Sequence, residues 1–161
     1  MIKSFFLDKK WRLWSWGGLF ILIISLWIQV SLTVAINTWY GGFYDLLQNA
    51  ADYKDKPLEG IKIFYDKLVS VKYILDGFEG DISFAVIAFP YVFIAVFTSW
   101  FTRIYGLKWR EAITFNYIPR WQNVEEEIEG ASQRIQEDCY KFARIIETLG
   151  LQVIRAIMTL I

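Results

Sequence analysis

Histidine is absent from this 161-residue chain, and cysteine occurs once, as Cys139. The first absence excludes His-ligated zinc, a Ser-His-Asp triad and an imidazole pH switch. The second excludes an internal disulfide. No Walker A glycine–lysine loop occurs, so ATP is not bound by that route. Nor is there an excess of one charge: 17 Lys+Arg face 17 Asp+Glu. That balance argues against nucleic acid as a partner, which would need a basic face. Carboxylates are plentiful, yet none of their spacings is diagnostic of metal binding or acid–base chemistry. No enzyme activity, cofactor or metal is therefore expected, and function must come from what the helices enclose.

What is abundant is apolar and aromatic: 55% and 19% of residues, with eight Trp. Soluble domains run at about 45–50% apolar. The excess falls in blocks. Residues 16–36 carry no ionisable side chain, and residues 82–102 carry no charge. Each block, at about 1.5 Å per residue, reaches roughly the 30 Å of a bilayer core. Trp11, Trp14 and Trp16 precede the first block and Trp39, Tyr40, Phe43 and Tyr44 follow it, as in an interfacial aromatic belt. Pro90 lies inside the second, where a kink is expected. A third block, 151–161, covers about half a bilayer and contains Arg155. It reads as the start of a truncated span in a fragment of a longer transporter; a short interfacial or core helix is the alternative.

The expected fold class is an all-α integral membrane protein. It has two full spans, an external loop over 37–81, a helical cytoplasmic elbow over 103–150, and the start of a third span. Lys3, Lys9, Lys10 and Arg12 precede the first span, and Arg103, Lys108 and Arg110 follow the second. The positive-inside rule then makes the N-terminus cytoplasmic. Within the loop, Leu58, Ile61, Phe64, Tyr65, Leu68, Val71 and Leu75 recur at helical spacing and predict an amphipathic helix. In the elbow, Val124, Ile128, Ala131, Ile135, Phe142, Ile145 and Leu149 form a stripe, with charges opposite it. Those charges read as a solvated face, with Glu137 and Lys141 paired at i,i+4. Glu147 differs. It stands at the mouth of the third block among Ile145, Ile146 and Leu149, where a carboxylate is costly unless it faces a cavity or a partner.

Two stretches resemble a known family. Asn37-Thr38-Trp39-Tyr40-Gly41-Gly42-Phe43-Tyr44-Asp45-Leu46-Leu47-Gln48 is similar to the motif after a membrane helix in SbmA/BacA peptide transporters. Ile128-Glu129-Gly130-Ala131-Ser132-Gln133-Arg134-Ile135-Gln136-Glu137-Asp138 resembles their cytoplasmic signature. So does the tail Glu147-Thr148-Leu149-Gly150 with Ala156-Ile157-Met158-Thr159-Leu160-Ile161. The likeness is patchy from Trp11 to Tyr117 and close from Trp121 onward. The Gln133-Arg134 and Glu137-Asp138 core also occurs in fatty-acyl-type ABC exporters. The aromatic motif Trp39, Tyr40, Phe43, Tyr44 and Asp45 favours SbmA/BacA.

The resemblance implies an ABC-exporter-like helical fold without a nucleotide-binding domain, working as a homodimer in the bacterial inner membrane. It implies proton-driven peptide uptake, with antimicrobial peptides and microcins among the substrates, and membrane lipid as surroundings. It places Glu129, Glu137 and Glu147 on family glutamates as proton-coupling candidates, and makes Gln133, Arg134 and Asp138 part of the elbow. The sequence departs from the family at Ser31, where a glutamate is replaced, and it lacks an extra leading helix and most later helices. Two other readings stay open: a transmembrane subunit of an ABC exporter with a separate ATPase chain, and an inactive truncated fragment.

Overall fold

The computed structural model describes residues 2–77, 81–123 and 130–160, and no strand occurs among them. The helices are α1 (Ile2–Phe6), α2 (Arg12–Gln48), α3 (Pro57–Val69), α4 (Lys72–Leu75), α5 (Phe84–Gln122), α6 (Ala131–Ile145) and α7 (Leu151–Leu160). A 3-10 turn spans Ala50–Tyr53, and a π-helical turn, Ile146–Gly150, joins α6 to α7.

Two helices, α2 and α5, are long and apolar enough to cross a membrane. Their most apolar 18-residue stretches have mean hydropathies of 2.4 and 2.0, and only 22% and 17% of those stretches is buried. The core helix of a water-soluble protein would be mostly covered; these faces suit lipid. At 37 and 39 residues both helices outlast the apolar blocks. A bilayer core takes only about 20 residues. The loop expected from residue 37 is therefore helical through Gln48, and the region expected as elbow begins inside α5. The physical reason is that the charges at the ends of the blocks mark where hydrocarbon stops; they do not break a helix. Pro90 likewise leaves α5 continuous.

The chain divides into two compact units. The first comprises residues 1–27 and 97–161. Its core is aromatic. Phe5 is fully buried and stacks on Trp109 at 5.1 Å, with Tyr105 edge-on to Phe5 at 5.3 Å. The Tyr105 ring lies where a Cβ on Gly18 would come within 2.6 Å, so α2 and α5 meet there only because residue 18 has no side chain. The Tyr105 hydroxyl donates to the Ser15 carbonyl at 3.0 Å. Trp11, Leu22, Phe101, Ala112, Ile113 and Cys139 complete the core.

The second unit comprises residues 28–96. Of the expected amphipathic stripe, Leu58 through Leu68 lie on α3, begun by Pro57 at its first position, where a missing N–H costs nothing, while Val71 and Leu75 lie beyond its end, after the extended Ser70. Its Lys67 carbonyl accepts from the Trp39 indole at 3.1 Å, and the Lys67 ammonium pairs with Asp81 at 2.6 Å. Lys72 pairs with Asp66 at 2.8 Å; that bond and the Asp66 charge hold the Lys72 ammonium above its usual range.

The aromatic core predicts two stability losses in detergent, readable by thermal unfolding. Phe5→Ala empties a filled site and costs ~3–5 kcal/mol. Tyr105→Phe removes one buried hydrogen bond and costs ~0.5–1.5 kcal/mol.

Candidate functional site

The local chemistry of the first unit converges on Glu147. The residue lies in the π-helical turn between α6 and α7. Such wide turns often occur at functional sites, because they re-aim side chains that a regular helix would place elsewhere. The Thr148 hydroxyl donates to the Arg144 carbonyl at 2.8 Å, across the junction with α6. Glu147 is half-buried. It lies over Gly106 of α5, where an added Cβ would come within 3.3 Å of Oε2. The glycine thus makes room for the carboxylate.

Two cavities adjoin this contact, and Gly106, Ala143 and Glu147 line both. One holds about 200 Å³ and is apolar, walled by Leu19, Leu22, Trp109, Ile146 and Leu151. Trp109 also supplies a buried indole N–H that finds no hydrogen-bond partner among the described residues. A buried donor left unpaired costs about 1–3 kcal/mol, so an acceptor nearby is favoured. The other is a groove of about 440 Å³ that brings together Arg103, Arg110 and Arg144.

The other expected glutamates are placed differently. Glu137 is exposed on α6 and pairs with Lys141 at 2.8 Å, as its spacing predicts. The Lys141 hydrogen bond and charge hold the Glu137 carboxyl below its ordinary range, and the Lys141 ammonium rises for the same reason. By linkage the Glu137 contribution is full above the unfolded carboxylate pKa and is lost as pH falls through the lowered folded value. Glu129 lies outside the described residues, as do Glu125, Glu126 and Glu127. Gln133 and Asp138 are exposed on α6; Arg134 belongs to the same helix, with its side chain outside the described set. The helix is entered through Gly130, whose φ of +74° suits glycine.

The aromatic motif sits in the second unit, on the last turns of α2. Its residues divide between two faces. Trp39 is buried, stacked on Phe43 at 4.7 Å and 5.0 Å from Phe84 of α5, while Phe43 reaches Phe64 of α3 at 5.7 Å. Tyr40 and Tyr44 stack on each other at 6.1 Å and are exposed, as is Asp45. The motif's inward half ties α2, α3 and α5 together; its outward half is exposed. Among the described residues no cluster of three or more Cys, Asp or Glu could hold a metal.

Sequence reasoning singled out Glu147 but missed Gly106, Phe5 and Trp109. The Gly106–Glu147 contact joins separate helices and leaves no periodic signal. The glycines predict contrasting outcomes. Gly106→Leu forces Glu147 aside and costs ~1–3 kcal/mol by overpacking. Gly41→Ala has nothing within 4 Å to meet and stabilises its helix by ~0.4–1 kcal/mol. Thermal unfolding of the two variants side by side reads the difference.

The sequence pattern of the SbmA/BacA-like family matches residues 8–161. That match takes in α2 with its aromatic motif, α5 with Gly106, and the turn that carries Glu147. With nearly the whole length matched, this chain belongs to the SbmA/BacA-like family.

Proposed function

We propose that the chain forms part of a bacterial inner-membrane transporter that takes up peptides, antimicrobial and microcin-type among them, coupled to inward proton movement. The working unit is a homodimer with an ABC-exporter-like arrangement of helices, and the N-terminus is cytoplasmic. The orientation rests on charge. Lys and Arg flank the outer ends of the two-span pair, whereas residues 37–81 carry eight acids against five lysines.

One observation carries the reading: a half-buried carboxylate, Glu147, held in a π-helical turn against Gly106 and bordering an apolar cavity. A proton carrier must be reachable from an aqueous path in one state and enclosed in another. A carboxylate at the rim of a cavity on a deformable turn meets that need, and an ionisable group next to a membrane-crossing helix is a functional group by default. Glu147 takes up a proton in the outward-facing state and releases it in the inward-facing state. Over one turnover the group passes from –COO⁻ to –COOH and back, and peptide and proton move in the same direction. Glu137 suits the step less well, because its ion pair with Lys141 keeps it charged near neutrality.

Proton influx into liposomes on adding peptide, with the transporter carrying this segment reconstituted, tests the assignment. Glu147→Gln is expected to abolish influx while peptide binding persists, Glu147→Asp to retain part of it, and Glu137→Gln to leave it near normal. Normal influx by Glu147→Gln would falsify the carrier role.

A further inference from the structure

The groove beside Glu147 carries more positive charge than the fold neutralises. Arg103 and Arg110 stand on α5 seven residues apart, two helical turns along one face, and Arg144 faces them from α6. Three guanidiniums and one carboxylate, Glu147, leave a net +2 (3 − 1) around about 440 Å³. Among the described residues none of these arginines forms an ion pair. Two of them are nevertheless held in place. The Tyr140 ring lies 5.3 Å from the Arg110 guanidinium and 5.9 Å from that of Arg144, and Arg144 Nη1 donates to the Tyr140 hydroxyl at 3.1 Å. An aromatic face orients a guanidinium without cancelling its charge.

The depth of the groove points to the ligand. Arg103 directly follows the uncharged run 82–102, so the groove opens where the chain leaves hydrocarbon. Lipid phosphates occupy that level, and basic pockets between membrane helices take their headgroups. The adjoining apolar cavity shares part of the same wall and suits the chain of a lipid better than a free anion. Guanidinium forks match phosphodiester oxygens in pairs.

We propose that this groove binds the headgroup of an anionic phospholipid. Its phosphodiester oxygens accept hydrogen bonds from Arg103, Arg110 and Arg144. The site is independent of the transport reading and would exist in a family member that moves any cargo.

The test uses the full chain in detergent and native mass spectrometry, with phosphatidylglycerol and phosphatidylcholine of identical acyl chains. The expected result is retention of phosphatidylglycerol at least about fivefold above phosphatidylcholine, falling about fivefold with each of Arg103→Gln, Arg110→Gln and Arg144→Gln. Lys62→Gln, which removes a charge in the second unit, is expected to change nothing. Inorganic phosphate at millimolar concentration is expected to leave the lipid bound. Equal retention of the two lipids overturns the proposal, as does wild-type retention in all three arginine variants or an equal loss in Lys62→Gln. Displacement by inorganic phosphate reassigns the groove to a free anion. The two-lipid and phosphate arms use the unmodified chain, so they decide the matter even where a variant loses helix.

Discussion

Tyr105 is pinned to α2 at two points, and the placement of Glu147 depends on that attachment. Its ring lies on Gly18, and its hydroxyl donates to the Ser15 carbonyl at 3.0 Å. Any side chain at residue 18 would displace the Tyr105 ring. The residue after Tyr105 is Gly106, about 100° further round α5, and its missing side chain leaves room for Glu147. Two glycines on different helices therefore act in series. One lets α5 approach α2, and the other lets the carboxylate approach α5. Packed interiors transmit such constraints because they contain little slack.

The aromatic core surrounds this arrangement. Phe5, Trp109 and Tyr105 touch one another, and Phe142 of α6 meets Trp109 edge-on at 5.9 Å. The same indole thus packs against α1 and α6 while bordering the apolar cavity. Core and cavity are two sides of one set of rings. The arginine groove lies past the same glycine and has a different chemistry, so the Gly106–Glu147 contact separates an apolar space from a cationic one.

The two helices apolar enough to cross a membrane were legible in the sequence because charge is excluded from hydrocarbon, and residues 16–36 and 82–102 lack charge. The ends of α2 and α5 were not, since the backbone continues as helix through charged residues such as Asp45 and Arg103. The helix over Pro57–Val69 was legible from its apolar spacing, although the expected stripe ran on to Val71 and Leu75, which lie beyond its end. The pairing of Glu137 with Lys141 followed from i,i+4 geometry. The role of Phe5 was hidden, because Ile2–Phe6 is too short for any period to emerge and its lysine reads as a membrane flank. Glu147 could be singled out as an acid among isoleucines and leucines. Its partner Gly106 could not, because a glycine that makes room for a distant side chain has no local signature.

The proposed coupling requires Glu147 to be the group that changes protonation when peptide is bound. Infrared difference spectroscopy of the reconstituted transporter reads the carboxylic acid C=O stretch directly as peptide is added. The account predicts a protonated-carboxyl band that appears with peptide, is absent in Glu147→Gln, and persists in Glu137→Gln. A band that survives Glu147→Gln and vanishes in Glu137→Gln would contradict it.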